Sequence, residues 1–99
     1  MKQDISLLDK YISSLERAKS ILRDEGCKEI YVFGSLAAKR LSASSDIDIG
    51  IKGLDPKKFL KVYSRLEDEI DTKIDLVDFD SNIRFFELLN GLGELQKVG

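Results

Sequence analysis

The run Asp46-Ile47-Asp48-Ile49-Gly50-Ile51 alternates acidic or small residues with isoleucine. Only an extended strand sorts this pattern cleanly, sending the isoleucines to one side and Asp46, Asp48 and Gly50 to the other. The isoleucine side demands a covering layer, because three β-branched side chains left in water would forfeit most of what makes folding favourable. The opposite side carries two carboxylates whose Cα atoms stand roughly 6.6–6.8 Å apart on one surface. A chain holding this strand must therefore bury one face of a sheet and tolerate acid on the other.

The remaining patterns supply the cover. From Asp4 to Glu25, the residues Leu8, Tyr11, Ile12, Leu15, Ala18 and Leu22 recur at helical spacing, and Gly26 follows as a stop. Glu29 to Phe33 is β-branched and aromatic and ends at Gly34, which reads as a central strand. Ser35 to Leu41 has the length of a short helix, and Ser42-Ala43-Ser44-Ser45 is turn-forming. Asp55-Pro56 caps a helix whose stripe is Phe59, Val62, Tyr63, Leu66 and Ile70. Lys73 to Val77 is a third strand, and a last helix starting near Asp80 or Ser81 carries Ile83, Phe85, Phe86, Leu88 and Leu89, as core or as a docking face. Glycines 91 and 93 then loosen the chain. The expected architecture is α/β (α+β), a small mixed sheet of three or more strands with helices packed on one face. The crossover through residues 56–70 makes the second and third strands parallel, while the direction of the first is left open.

Bulk properties remove whole classes of function. With 99 residues, one domain spanning 1–99 is expected, too small for a separate substrate domain. Sixteen basic against eighteen acidic residues give a net charge of −2, so no strong nucleic-acid binding is expected. There is no histidine, which excludes Ser-His-Asp and Cys-His catalysis and the usual histidine-rich zinc sites. Cys27 stands alone, and no signal segment or long apolar run occurs, so the expected setting is the cytoplasm without membrane attachment.

Any catalysis must then rest on carboxylates. Asp75 has the same relation to its strand as Asp48, with Ile74 and Leu76 on the opposite side, so Asp46, Asp48 and Asp75 share a face if their strands are neighbours. Two carboxylates about 5 Å apart repel by roughly 3 kcal/mol at an effective dielectric constant of 20, which calls for a cation or a shared proton. Oxygen-only ligands select Mg²⁺ or Mn²⁺, and a pair of ions can clamp the attacking and leaving oxygens of a phosphoryl displacement. An isolated Asp-x-Asp strand is more often a polar edge, but aspartate is a poor strand former and Asp75 adds a third ligand. Gly34-Ser35 follows a strand and precedes a helix start, where unpaired N–H groups favour anions; Lys39 and Arg40 lie within reach of phosphates. Alone, each of these features is more often a turn or a solvated face. An EF-hand beginning at Asp46 would need Glu where Lys57 stands, Gly34 lacks the Gly-Lys-Ser/Thr of a P-loop, and the chain is short for an Asp-x-Asp glycosyltransferase.

Strand, Gly34-Ser35-Leu36-Ala37, ten residues, Ser45-Asp46-Ile47-Asp48-Ile49, helix, then Lys73-Ile74-Asp75-Leu76-Val77 resembles the minimal nucleotidyltransferases of the DNA polymerase β superfamily, over Tyr31 to about Asp78. The resemblance implies a nucleotidyltransferase fold, with ATP or another nucleoside triphosphate bound over Gly34 and Ser35. It also implies two Mg²⁺ ions on Asp46 and Asp48, with Asp75 at the ion that activates an acceptor hydroxyl. Where the family often has Arg-Gly, this chain has Ala38-Lys39, leaving phosphate contacts to Lys39 or Arg40. Stand-alone members this short resemble antitoxins paired with HEPN-domain toxins, some of which add AMP to a toxin tyrosine. The expected activity is thus AMP transfer to a partner protein, with that partner or a second copy of the chain completing the acceptor site. The competing expectation is an antitoxin that neutralises its partner by occlusion, without turnover.

Overall fold

A computed structural model describes residues 2–34 and 46–99, the side chains of 2–7 excepted. Helix α1 spans Lys2–Asp24, strand β1 Glu29–Phe33, β2 Ile47–Lys52, α2 Phe59–Glu69, β3 Ile74–Asp78, α3 Ile83–Gly91 and β4 Gln96–Lys97. The short helix expected at 35–41 lies outside the described residues. So do the site candidates Ser35, Lys39 and Arg40.

The four strands lie in the order β3-β2-β1-β4. β2 and β3 are parallel, as the α2 crossover requires, and β1 is antiparallel to β2. β4 was not anticipated: it pairs Lys97 with Tyr31 and Gln96 with Val32 through main-chain bonds that a two-residue strand does not advertise in its side chains. The chain is tied on further by Val98 N–H donating to Ile30 O at 2.8 Å.

One face of the sheet is covered as expected. Ile30, Val32, Ile47, Ile49, Ile51, Ile74 and Leu76 meet Tyr11, Ala18, Ile21 and Leu22 of α1 and Val62 and Leu66 of α2 in a single buried cluster. The α1 stripe is rotated from the one its spacing suggested: Ile21 is buried, whereas Leu8 and Ile12 are exposed. α1 ends in a Schellman turn, with Cys27 N–H donating to Leu22 O at 2.9 Å and Gly26 N–H to Arg23 O at 3.0 Å. Gly26 takes φ +94°, the left-handed conformation that this turn needs. Arg65 of α2 bonds Asp24, Glu25 and Glu69, joining the two helices at their edge. Asp55 caps the chain before α2 by accepting from Lys57 N–H at 3.0 Å, with Pro56 opening a single 3₁₀ turn.

The helices do not all share that face. α3 crosses the other one, where Phe33, Phe79 and Leu89 form a second buried cluster with Tyr31, Val77, Phe86 and Leu95. Aromatic residues at alternate positions of β1 give that face enough apolar area to hold a helix. Only part of α3 is core: Leu89 is buried, while Ile83, Phe85 and Leu88, and Leu92 just past its end, are exposed.

Gly50 serves this second layer. A Cβ there would lie 2.0 Å from Phe79 Cε2, and the Phe79 ring is fully buried. Gly50→Ala is therefore expected to cost about 1–3 kcal/mol by overpacking, measured by denaturant unfolding. Gly91→Ala meets no atom within 4 Å at the end of α3 and should be neutral or stabilising by up to about 1 kcal/mol. Equal effects from the two changes would mean that Phe79 does not pack over Gly50.

Candidate active site

The acidic residues lie on the face that α3 only half covers. β2 and β3 pair with Asp48 opposite Asp75, and β1 and β2 pair with Phe33 opposite Asp48. One row across the sheet thus reads Phe33, Asp48, Asp75, all projecting to the same side. The neighbouring row, Tyr31, Gly50, Val77, is roofed by Phe79 and Phe86. Asp46 immediately precedes β2 and lies two residues from Asp48, toward the open end of the face. β2 and β3 are neighbours, so Asp48 and Asp75 lie side by side on one face, with Asp46 two residues along.

Gly34 stands at the end of β1 against this row. Its φ is +73°, and a Cβ on it would fall 2.1 Å from Asp48 Oδ2. Both the left-handed turn and the closeness of the carboxylate require glycine here. The residue predicted to let a phosphate approach the main chain is therefore also the one that makes room for Asp48.

The electrostatics follow from the row. Partial burial pushes the Asp48 carboxyl above the ordinary carboxylate range; the Asp75 charge, then the Asp46 charge, and a hydrogen bond with Asp75 add to this. Asp46 instead meets the Lys73 ammonium, 3.9 Å from its Oδ2. Among the described residues no three carboxylates converge as a ready-made ion cage. The close contact is the Asp48–Asp75 pair, with Asp46 standing to one side. The donor set nevertheless suits a hard cation: oxygen only, no thiol or imidazole, and a carboxyl that its neighbours keep from ionising freely. Asp78, further along β3, is differently engaged: it accepts from Asp80 N–H at 3.0 Å and from Ser81 Oγ–H at 3.1 Å, fixing the turn that delivers Phe79.

Because the folded state raises the Asp48 pKa, it holds that proton more tightly than the unfolded chain does. The associated stability is complete below the ordinary carboxylate range and is lost as pH rises through the raised folded value. In the absence of divalent metal, Asp48→Asn is thus expected to unfold at a higher temperature than the parent at pH 7. The gap should close below about pH 4, where unperturbed aspartates protonate. Thermal unfolding across pH checks this, and a variant less stable than the parent at pH 7 would mean that Asp48 is already compensated by a partner.

Sequence reasoning did not find Phe33 as a neighbour of the acidic row, nor Phe85 as the ring packed on it. Phe33 read only as strand interior, and the contact between the Phe33 and Phe85 rings, 5.6 Å between centroids, joins residues far apart in the chain.

Residues 16–90 match the family model of polymerase β-type nucleotidyltransferases. Among solved structures, a chain of a toxin–antitoxin complex with AMP-PNP is similar at 30% identity and TM-score 0.54, over 75% of this chain and 58% of that one. A mutant MntA–HepT toxin–antitoxin, with two aspartates two positions apart changed to glutamate, is similar at 28% identity and TM-score 0.56, over 67% and 57%. A third, at 28% identity and TM-score 0.50 over 73% and 57%, is a tri-AMPylated Shewanella oneidensis HEPN toxin in complex with MNT antitoxin. This chain thus spans less than two thirds of the length of each of these three. No curated protein sequence matches it. Among the described residues no helix is long and apolar enough to cross a membrane. With three quarters of its length matched to the family and the acidic row set on the expected strands, the chain belongs to the polymerase β-type nucleotidyltransferases.

Proposed function

We propose that the chain is a Mg²⁺-dependent nucleotidyltransferase that moves AMP from ATP to a hydroxyl of a HEPN-type toxin and acts as that toxin's antitoxin in the cytoplasm. The observation that carries this reading is the register of Asp48 against Asp75, with Asp46 two residues away and Gly34 against the same carboxylate. Similar complexes that contain AMP-PNP, or a tri-AMPylated HEPN toxin, support the nucleotide and the acceptor. The toxin–antitoxin with a doubly substituted aspartate pair has the spacing of Asp46 and Asp48, which supports these two as functional.

Asp46 and Asp48 would hold the metal with the triphosphate, and Asp75 would face the acceptor. Bound Mg²⁺ supplies charge neutralisation of the phosphate oxygens and lowers the pKa of the acceptor hydroxyl. Gly34 leaves its main chain open to the phosphates, with Ser35, Lys39 and Arg40 as further phosphate contacts. The acceptor oxygen forms a bond to the α-phosphorus in line with the departing β-phosphate oxygen. Pyrophosphate leaves, and the hydroxyl proton passes to a carboxylate of the row or to water. Positioning provides most of the rate, since the phosphoryl group needs no covalent protein partner. The acceptor pocket is supplied by the toxin or by a second copy of the chain, because the acidic face is only half roofed.

A second reading, neutralisation by occlusion, is favoured by the exposed apolar side chains at the end of α3, Leu88 within it and Leu92 just after it, at 57% and 61% exposure. Label transfer separates the two. With labelled ATP, Mg²⁺ and the cognate toxin, the wild type should label the toxin. Asp48→Asn should reduce transfer at least about a hundredfold, since loss of even an outer partner of a metal ligand costs 10–100-fold. Full toxin inhibition by Asp48→Asn without labelling would establish occlusion instead.

A further inference from the structure

We propose that the Phe85 ring, held upright by Phe33 beside the acidic row, is the platform on which the base of the nucleotide stacks. The inference rests on the nucleotidyltransferase reading above and adds a base site to it.

Phe33 and Asp48 are direct cross-strand partners, so their side chains start about 4.5–5.5 Å apart on the same face. Phe33 is nearly buried, at 9% exposure, and its ring meets that of Phe85 edge to face at 5.6 Å and 85°. Phe79, fully buried over Gly50, adds a second contact to Phe85 at 6.2 Å and itself touches Phe33 at 5.9 Å, so the three rings form a triangle. Two core aromatics therefore fix a third whose remaining surface is open, for Phe85 is 38% exposed. Among the aromatic residues that touch Phe33, Phe79 is fully buried and Phe85 is the one presenting its ring to solvent. Phe85 is thus one ring contact away from Phe33, the cross-strand neighbour of Asp48.

The chemistry suits a base. A π-face offers stacking to any nucleobase, worth ~1–3 kcal/mol, and a ring already immobilised by its neighbours loses little entropy when the ligand arrives. Leu88 on the same helix and Leu92 just past its end are more exposed but aliphatic, and offer no π-face. Stacking ignores the hydrogen-bonding edge of the base, so ATP and GTP should bind within a few-fold of one another.

The test is a titration of Mg²⁺ with ATP, GTP or inorganic tripolyphosphate into the wild type, Phe85→Ala, Phe85→Leu, Phe85→Tyr and Leu88→Ala. Phe85→Ala and Phe85→Leu should weaken ATP and GTP roughly tenfold and leave tripolyphosphate unchanged, while Phe85→Tyr and Leu88→Ala bind as the wild type does. Phe85→Leu keeps the apolar packing, so it decides the question if the alanine variant fails to fold. The platform is overturned if Phe85→Leu binds ATP as tightly as the wild type, or if ATP and tripolyphosphate weaken together. Failure of the underlying reading looks different: the wild type would bind neither ATP nor tripolyphosphate with Mg²⁺, and the platform would fall with it.

Discussion

Asp48 and Asp75 face each other across two parallel strands, and nearly everything else in the molecule is arranged so that they must. Two carboxylates about 5 Å apart repel by roughly 3 kcal/mol at a dielectric constant of 20. Ile47, Ile49 and Ile51, on the reverse of the same strand, are completely buried, and each contributes about 1.5–3 kcal/mol by leaving water. Burial therefore outweighs repulsion. A slip of one residue would relieve the acids only by turning all three isoleucines into solvent, so the core holds the register and the register holds the acids. The repulsion is not removed by folding; after burial, the larger cause, it adds to the raised proton affinity of Asp48.

The same face has two halves of opposite character. Toward the middle of β2, Gly50 leaves a floor on which Phe79 lies, and α3 closes over it with Phe86 and Leu89. One residue pair away, the acidic row is left open. The aromatic layer does more than complete a second small core. It sets a low-dielectric wall beside Asp48, and burial is the largest cause of that residue's shift, ahead of the neighbouring charges. A single glycine thus links the packing of α3 to the electrostatics of the site.

Much of this was legible in the residues themselves. Strands with period two and a helix with a capped, apolar stripe announce themselves locally, and Asp46, Asp48 and Asp75 can be placed on one face from the alternation alone. What was hidden depends on long-range geometry. Leu8 and Ile12 obey the same spacing as Tyr11 and Ala18, yet α1 is rotated to bury Ile21, because the sheet below it, not the periodicity, chooses the centre of the stripe. β4 is made of main-chain bonds between Gln96-Lys97 and β1, to which side chains give no clue. Gly50 read as bare space beside the acids; its partner, Phe79, lies 29 positions away and meets it only after α2 has brought β3 alongside β2. α3 took the unexpected face because Tyr31 and Phe33, counted as strand interior, provide an apolar surface on both sides of β1.

The arrangement also explains why the fold carries so costly a feature. A protein selected for stability alone would replace Asp48, whose neighbours oppose its ionisation, with a neutral residue. Retaining it makes sense where a cation arrives with a ligand, since the repulsion that weakens the empty protein becomes differential affinity for that cation. Lys73 compensates Asp46 only from 3.9 Å and from a side chain that is itself 68% exposed, too weak and too screened to satisfy the pair behind it. On the proposed function, the acidic row would be completed from outside, by metal and phosphate on one side and by an acceptor on the other. The half-open face beside α3 would then be the direction from which both come.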